Sequence, residues 1–179
     1  LMVAFANPAT HVLRDIGGGT LWIAILLAST RSLDQSYAVE LENGAMEGMQ
    51  LWPVDPVAIF YGKAIANTLV LLGVALCILP PLFALFEPRT TGDLPQLFAV
   101  IFLGCAAIAA PGTVFGLITS QARGSSVLLP LLLFPLVVPA LLAASSATTR
   151  LFEGDPMVQV PSWIGVLLVF DLVHWSISP

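Results

Sequence analysis

Residues 31–63 read RSLDQSYAVELENGAMEGMQLWPVDPVAIFYGK, the longest polar interruption in an otherwise apolar chain. The stretch holds five of the eleven acids, Asp34, Glu40, Glu42, Glu47 and Asp55, and two of the six bases, Arg31 and Lys63. It also has helical order. Ala38, Leu41, Ala45, Met49 and Trp52 recur at three- and four-residue steps, which places them on one helix face. Asn43-Gly44 favours a turn that divides this helix in two, and Pro53 ends the second piece. Asp55-Pro56 opens a further helix, with Asp as N-cap and Pro at the first helical position. The pattern predicts helix, turn, short amphipathic helix over 45–52, turn, helix. Such a connector between two membrane spans suits docking to a partner.

The rest of the chain explains why that connector stands out. The 179 residues are 58% hydrophobic and 9% charged, with a mean hydropathy of +0.95. A soluble domain carries about 25% charged residues, so a water-soluble fold lacks the polar surface to cover this much apolar side chain. The composition defines an integral membrane protein. A net charge of −5 argues against nucleic acid or an anionic lipid surface as partner, since both select clustered Lys and Arg. Cys77 and Cys105 lie inside apolar runs, and no CxxC or Cys/His cluster points to a disulfide framework or a metal. Both ends of the chain read as cut inside apolar runs, with no signal peptide in view.

Read in order, residues 1–6 are a stub too short to span, and 7–17 read as a short loop carrying His11, Arg14 and Asp15. The expected spans are 16–33, 57–86, 94–120, 126–147 and 161–179, so the stub makes six in the presumed full chain; the connector proper is 34–56. The first of these runs is short in uncharged residues, and its helix can continue past Arg31 if the guanidinium snorkels to the interface. Pro80-Pro81 is expected to kink or end the second. Ala110-Pro111-Gly112 interrupts the third and predicts a broken or kinked helix, a feature of transport sites in some membrane proteins and of ordinary packing in others. Pro130, Pro135 and Pro139 predict a bent fourth span. Residues 150–161, RLFEGDPMVQVP, read as a loop at the interface. The glycines at 17–19 lack the Lys and hydroxyl of a phosphate loop and read as helix packing. Arg31, Lys63 and Arg123 fall on one side and Arg14, Arg89 and Arg150 on the other, so basic residues do not orient the bundle.

Asp171 and His174, three residues apart in the last run, share a helix face. Ionisable groups at membrane depth are functional candidates; a helix end emerging into water, or a hydrogen bond between helices, is the plainer alternative. No catalytic constellation and no metal-ligand cluster accompanies them, so an enzyme built on this pair lacks supporting groups at its depth. Haem ligation needs His, Cys or Met, and nothing in the spacing ties His174, Met46 and Met49 together.

Two segments carry a resemblance. Residues 39–66, VELENGAMEGMQLWPVDPVAIFYGKAIA, resemble the connector of ABC-2-type permeases: an acid (Glu40 or Glu42), Gly44, Glu47 three residues on, a short helix, Pro53, then Gly62-Lys63 at the next span. Ala45 stands where a small hydroxyl residue is usual. Residues 110–147, APGTVFGLITSQARGSSVLLPLLLFPLVVPALLAASSA, resemble the haem exporter protein B family through Ala110-Pro111-Gly112, Arg123-Gly124 and the proline-spaced run Leu131–Leu141. The resemblance implies an all-α, six-span membrane permease with cytosolic termini. It also implies a cytosolic coupling helix between spans two and three, whose ATPase-facing residues are Glu40, Glu42, Gly44, Glu47, Met49, Trp52 and Pro53. It implies a non-enzymatic, multi-pass subunit in the bacterial inner membrane. Its partners would be an ATP-binding cassette subunit, a Trp-rich haem-binding membrane subunit and a periplasmic haem chaperone. ATP and haem would be bound by those partners, leaving this chain without a cofactor of its own. Two functions fit: coupling of ATP hydrolysis to haem export or chaperone release in cytochrome c maturation, or a non-transporting scaffold for the haem-handling partner.

Overall fold

The computed structural model of the chain describes residues 8–42, 55–86, 94–121, 128–154 and 158–177. These residues are almost wholly helical. In chain order the helices are α1 (Pro8–Glu42), α2 (Pro56–Phe86), α3 (Leu94–Gln121), α4 (Leu128–Glu153) and α5 (Val160–Ile177). All five are long and apolar enough to cross a membrane, which confirms the all-α polytopic reading. A sixth span is not among the described residues.

The bundle is organised on α3, which packs against each of the other four helices. Of its span 72% is buried, against 22% for α2 and 17% for α5. Its sequence accounts for this. Every residue from Gly104 to Thr113 is buried, and most of that run is Gly or Ala, which lets backbones approach where lipid offers no hydrophobic driving force between helices. The closest approaches fall on three glycines. A Cβ on Gly104 would overlap the Trp22 ring, and one on Gly112 would lie 2.6 Å from Leu33 Cδ1, so α1 lies directly on α3. A Cβ on Gly18 would lie 2.9 Å from the backbone oxygen of Ser145 on α4, so the glycine run at 17–19 does serve packing.

Around α3 the contacts run α2 to α1, α1 to α4 and α4 to α5. Trp22 Nε1 donates to Thr148 Oγ1 at 3.0 Å and ties α1 to α4. Asn67 Nδ2 donates to Thr113 Oγ1 at 3.0 Å and ties α2 to α3. Most other described hydroxyls bond a carbonyl of their own helix three or four residues back, as Thr68 does to Ala64 and Thr119 to Phe115. Such back-bonding hides polar groups that lipid cannot solvate.

Several expected boundaries shift. Residues 8–17 are helix rather than loop, because Pro8 fits a first helical turn, where its missing N–H is not needed. The helix α1 also carries on through Arg31 and Asp34 to Glu42; two charges at the end of a membrane run do not stop a helix whose sequence, SLDQSYAVELE, has no breaker. Neither Pro80-Pro81 nor Ala110-Pro111-Gly112 breaks its helix: α2 continues to Phe86 and α3 to Gln121. Backbone released from a helix at this depth finds no water, so the helical bonds on either side are kept. Pro130 sits in the first turn of α4, leaving Pro135 and Pro139 as its interior prolines. Residues 150–153 are helix rather than interfacial loop. Leu151 and Phe152 are fully buried, with Phe152 edge-on to Phe83 at 6.1 Å. The stop is Gly154, at φ 89°, whose N–H donates to Leu151 O at 3.2 Å.

Candidate functional site

The connector that dominates the sequence is framed by two helix ends. On one side α1 runs from Leu33 to Glu42 without a break, about 14 Å at the usual rise per residue, and Glu40 and Glu42 fall in its last turn. On the other side α2 starts as the Asp-Pro pair dictates. Asp55 Oδ1 accepts from Val57 N–H at 3.0 Å, and Asp55 O accepts from Ala58 N–H at 3.0 Å. Gly44, Glu47, Met49, Trp52 and Pro53, with the turn at Asn43-Gly44 and the short helix expected over 45–52, lie outside the described residues.

The Pro111-Gly112 pair lies where the extended α1 meets α3. Leu33, 1% exposed, packs on the bare backbone of Gly112. One residue further, Thr113 Oγ1 donates to Ala109 O at 2.7 Å while it accepts from Asn67. Pro111 removes the N–H that would bond Ala107 O. The pair therefore sits at a junction of α1, α2 and α3, next to a buried polar bridge, at the root of the helix that leads to the connector.

At the other candidate position the structure separates Asp171 from His174. His174 is half-buried; its Nδ1 lies 2.9 Å from Phe170 O, and its ring stacks on Phe170 at 3.9 Å. Asp171 is 8% exposed, and both its carboxylate oxygens are buried without a hydrogen-bond partner among the described residues. It lies in the wall of an open groove of about 630 Å³ between α2 and α5, floored by Phe102, Leu103 and Ala106 of α3. One end of the groove is closed by aromatic contact. Tyr61 stacks on Trp175 with centroids 6.1 Å apart and donates its hydroxyl to Trp175 O at 3.0 Å. Trp175 Nε1 in turn donates to Ala106 O at 3.4 Å.

These interhelical ties are what the sequence concealed. Trp22 and Thr148 are 126 residues apart and Asn67 and Thr113 are 46 apart, so no local spacing links them. The legible signal was Asn67 itself, an amide inside a run of apolar side chains, which membrane depth obliges to find a partner.

A bundle of apolar helices of spanning length, locked by small-residue contacts, defines a polytopic membrane protein. The family model described as "CcmB protein" matches residues 1–179. The chain therefore belongs to the CcmB family. It is similar to "Heme exporter protein B" of Pseudomonas aeruginosa, at 30% identity over 93% of this chain and 74% of that one. It is also similar to the proteins of the same name from Rhodobacter capsulatus and Paracoccus denitrificans. These are 31% identical over 83% of this chain and 67% of the relative, and 32% identical over 84% and 69%.

Proposed function

We propose that this multi-pass protein is the membrane permease subunit of an ATP-driven haem-export complex serving cytochrome c maturation, and that it sits in the bacterial inner membrane. Membership of the CcmB family and relatives named for haem export support its place as a membrane component of such a system. The chain holds no GxxxxGK[ST] phosphate loop, so hydrolysis is assigned to a separate ATP-binding subunit. The observation that carries the coupling role is the unbroken run of α1 from the packed core to Glu42. A push on the connector reaches Leu33 through continuous helix, and Leu33 bears on Gly112 beside Pro111. Residues 45–52, on which the ATPase would dock, follow shortly after this helix in the sequence.

In this reading Trp52 is the apolar anchor in the ATPase groove, as buried aromatic residues generally are in such contacts, and Glu47 pairs with a basic residue there. Haem is ligated by a Trp-rich membrane partner and passed to a periplasmic chaperone. The combination Trp52→Ala with Glu47→Lys tests the proposal. The variant is expected to reach the membrane normally and to lose either the ATP-binding subunit on purification or the dependence of haem release on ATP. A variant that keeps both, with normal cytochrome c maturation, refutes the coupling role.

A further inference from the structure

Three consecutive residues of α3 each weaken their own helix. Pro111 withholds the donor that Ala107 O would receive. Gly112 has the lowest helix propensity after proline. Thr113 turns its hydroxyl back on Ala109 O at 2.7 Å, a bond of the kind that often bends helices. Yet α3 runs through the segment unbroken, and two neighbouring helices brace it. Leu33 of α1 lies on Gly112. Asn67 of α2, 5% exposed, donates to the hydroxyl of Thr113, 2% exposed. Asn67 differs in this from the next residue: Thr68 is as deeply buried but spends its hydroxyl on Ala64 O of its own helix. The two bracing helices are the ones that border the connector, and they also pack on each other. From Leu33 to the end of α1 at Glu42 is about 14 Å, and from the start of α2 at Pro56 to Asn67 about 16 Å, at the usual rise per residue. The connector is thus flanked by two arms of nearly equal length, and both arms end on adjacent residues of α3.

We infer that Asn67 is a positioning residue through which α2 holds the weak segment of α3, so that both helices bordering the connector act on one point of the central helix. The contact through Leu33 is apolar: it presses on Gly112 but has no directional bond with which to draw it back. The hydrogen bond from Asn67 is directional and resists separation. Breaking it leaves a buried amide donor unmatched, at a depth where water does not replace the partner. Pressed by one arm and held by the other, the segment 111–113 follows the connector in both directions. The role rests on the coupling reading given above, and the test keeps the two apart.

Amide hydrogen exchange and the haem released per ATP hydrolysed are measured on the full chain purified with its native partners. Asn67→Leu removes the donor at similar volume, Thr113→Val removes the acceptor, and Thr113→Ser keeps it. Asn67→Leu and Thr113→Val are each expected to speed exchange over residues 110–117 about three- to tenfold, the weight of a hydrogen bond between membrane helices, with no change over 98–105. The two combined are expected to add nothing beyond either alone. Both are expected to lower the haem released per ATP with the ATP-binding subunit still bound, and Thr113→Ser to behave as wild type. Unchanged exchange over 110–117, or a rise spread equally over both segments, overturns the inference. So does a local rise that leaves haem release per ATP intact. If Asn67→Leu fails to accumulate in the membrane, Thr113→Val, which conserves shape, decides the same comparison. A wild-type complex whose haem release is independent of ATP overturns the coupling reading instead, and exchange over 110–117 then decides the hold of Asn67 by itself.

Discussion

Gly104 has no side chain because Trp22 occupies the place where one would be. The indole is 2% exposed and held by its bond to Thr148, so it cannot swing aside. Gly104→Ala is expected to cost about 1–3 kcal/mol of bundle stability, the usual range for overpacking. Thermal unfolding in detergent checks this, and adding Trp22→Leu should return part of the loss, since the smaller side chain clears the space. His174→Ala tests the opposite kind of residue. Its ring is spent on Phe170, so haem content of the purified complex is expected to stay unchanged; a lost haem absorption band would move ligation onto this chain. Asp171 and His174 show how far spacing reaches. Three residues apart put them on one helix face, but the full burial of Asp171 beside a half-buried His174 depends on α2 and α3, which local sequence does not specify.

Among the elements, α3 and α1 behave as a lever and its bearing. Gly112→Leu is expected to push Leu33 off α3 and lower stability by about 1–3 kcal/mol, with Leu33→Ala restoring most of it in a double-mutant cycle. Pro111→Ala is expected to act differently: it returns a backbone donor to Ala107 O, leaves insertion normal, and lowers cytochrome c maturation by stiffening the junction. Unchanged maturation makes Pro111 an ordinary packing residue. The helices themselves were legible because apolar runs of spanning length have few other uses, and the Asp55-Pro56 start followed from the chemistry of caps. Helix past Arg31 and helix up to Asn43-Gly44 were legible too; that the two form one unbroken α1 was not, although nothing between Arg31 and Glu42 breaks a helix. Of the two outcomes expected at the prolines, a break does not occur, because backbone released at this depth finds no water.

For the molecule as a whole, the alternation of five crossing helices sets sidedness by parity. The end of α1 and the start of α2 lie on one side, the end of α2 and the start of α3 on the other. The coupling proposal places the first of these in the cytosol. A cysteine at position 91 is therefore expected to react with an impermeant thiol reagent added from outside, and one at position 43 is not; the reverse pattern inverts the bundle and removes the ATPase from its proposed contact. Overall class was readable from composition alone, since 9% charge does not clothe a soluble protein of this size. Which helix stands at the centre was not, because the Gly and Ala run of α3 looks like any weakly apolar stretch until its neighbours are known.

The bond between Trp22 and Thr148 has a consequence for biosynthesis. Its two ends are separated by 126 residues, so a ribosome adding about 5–20 residues per second delivers the second end some 6–25 s after the first. For that interval α1 is in the bilayer with its indole N–H unmatched and its glycine face bare. The later helix α4 is thus needed to seat α1, and a chain stalled after α3 would leave α1 without the partner that holds Trp22.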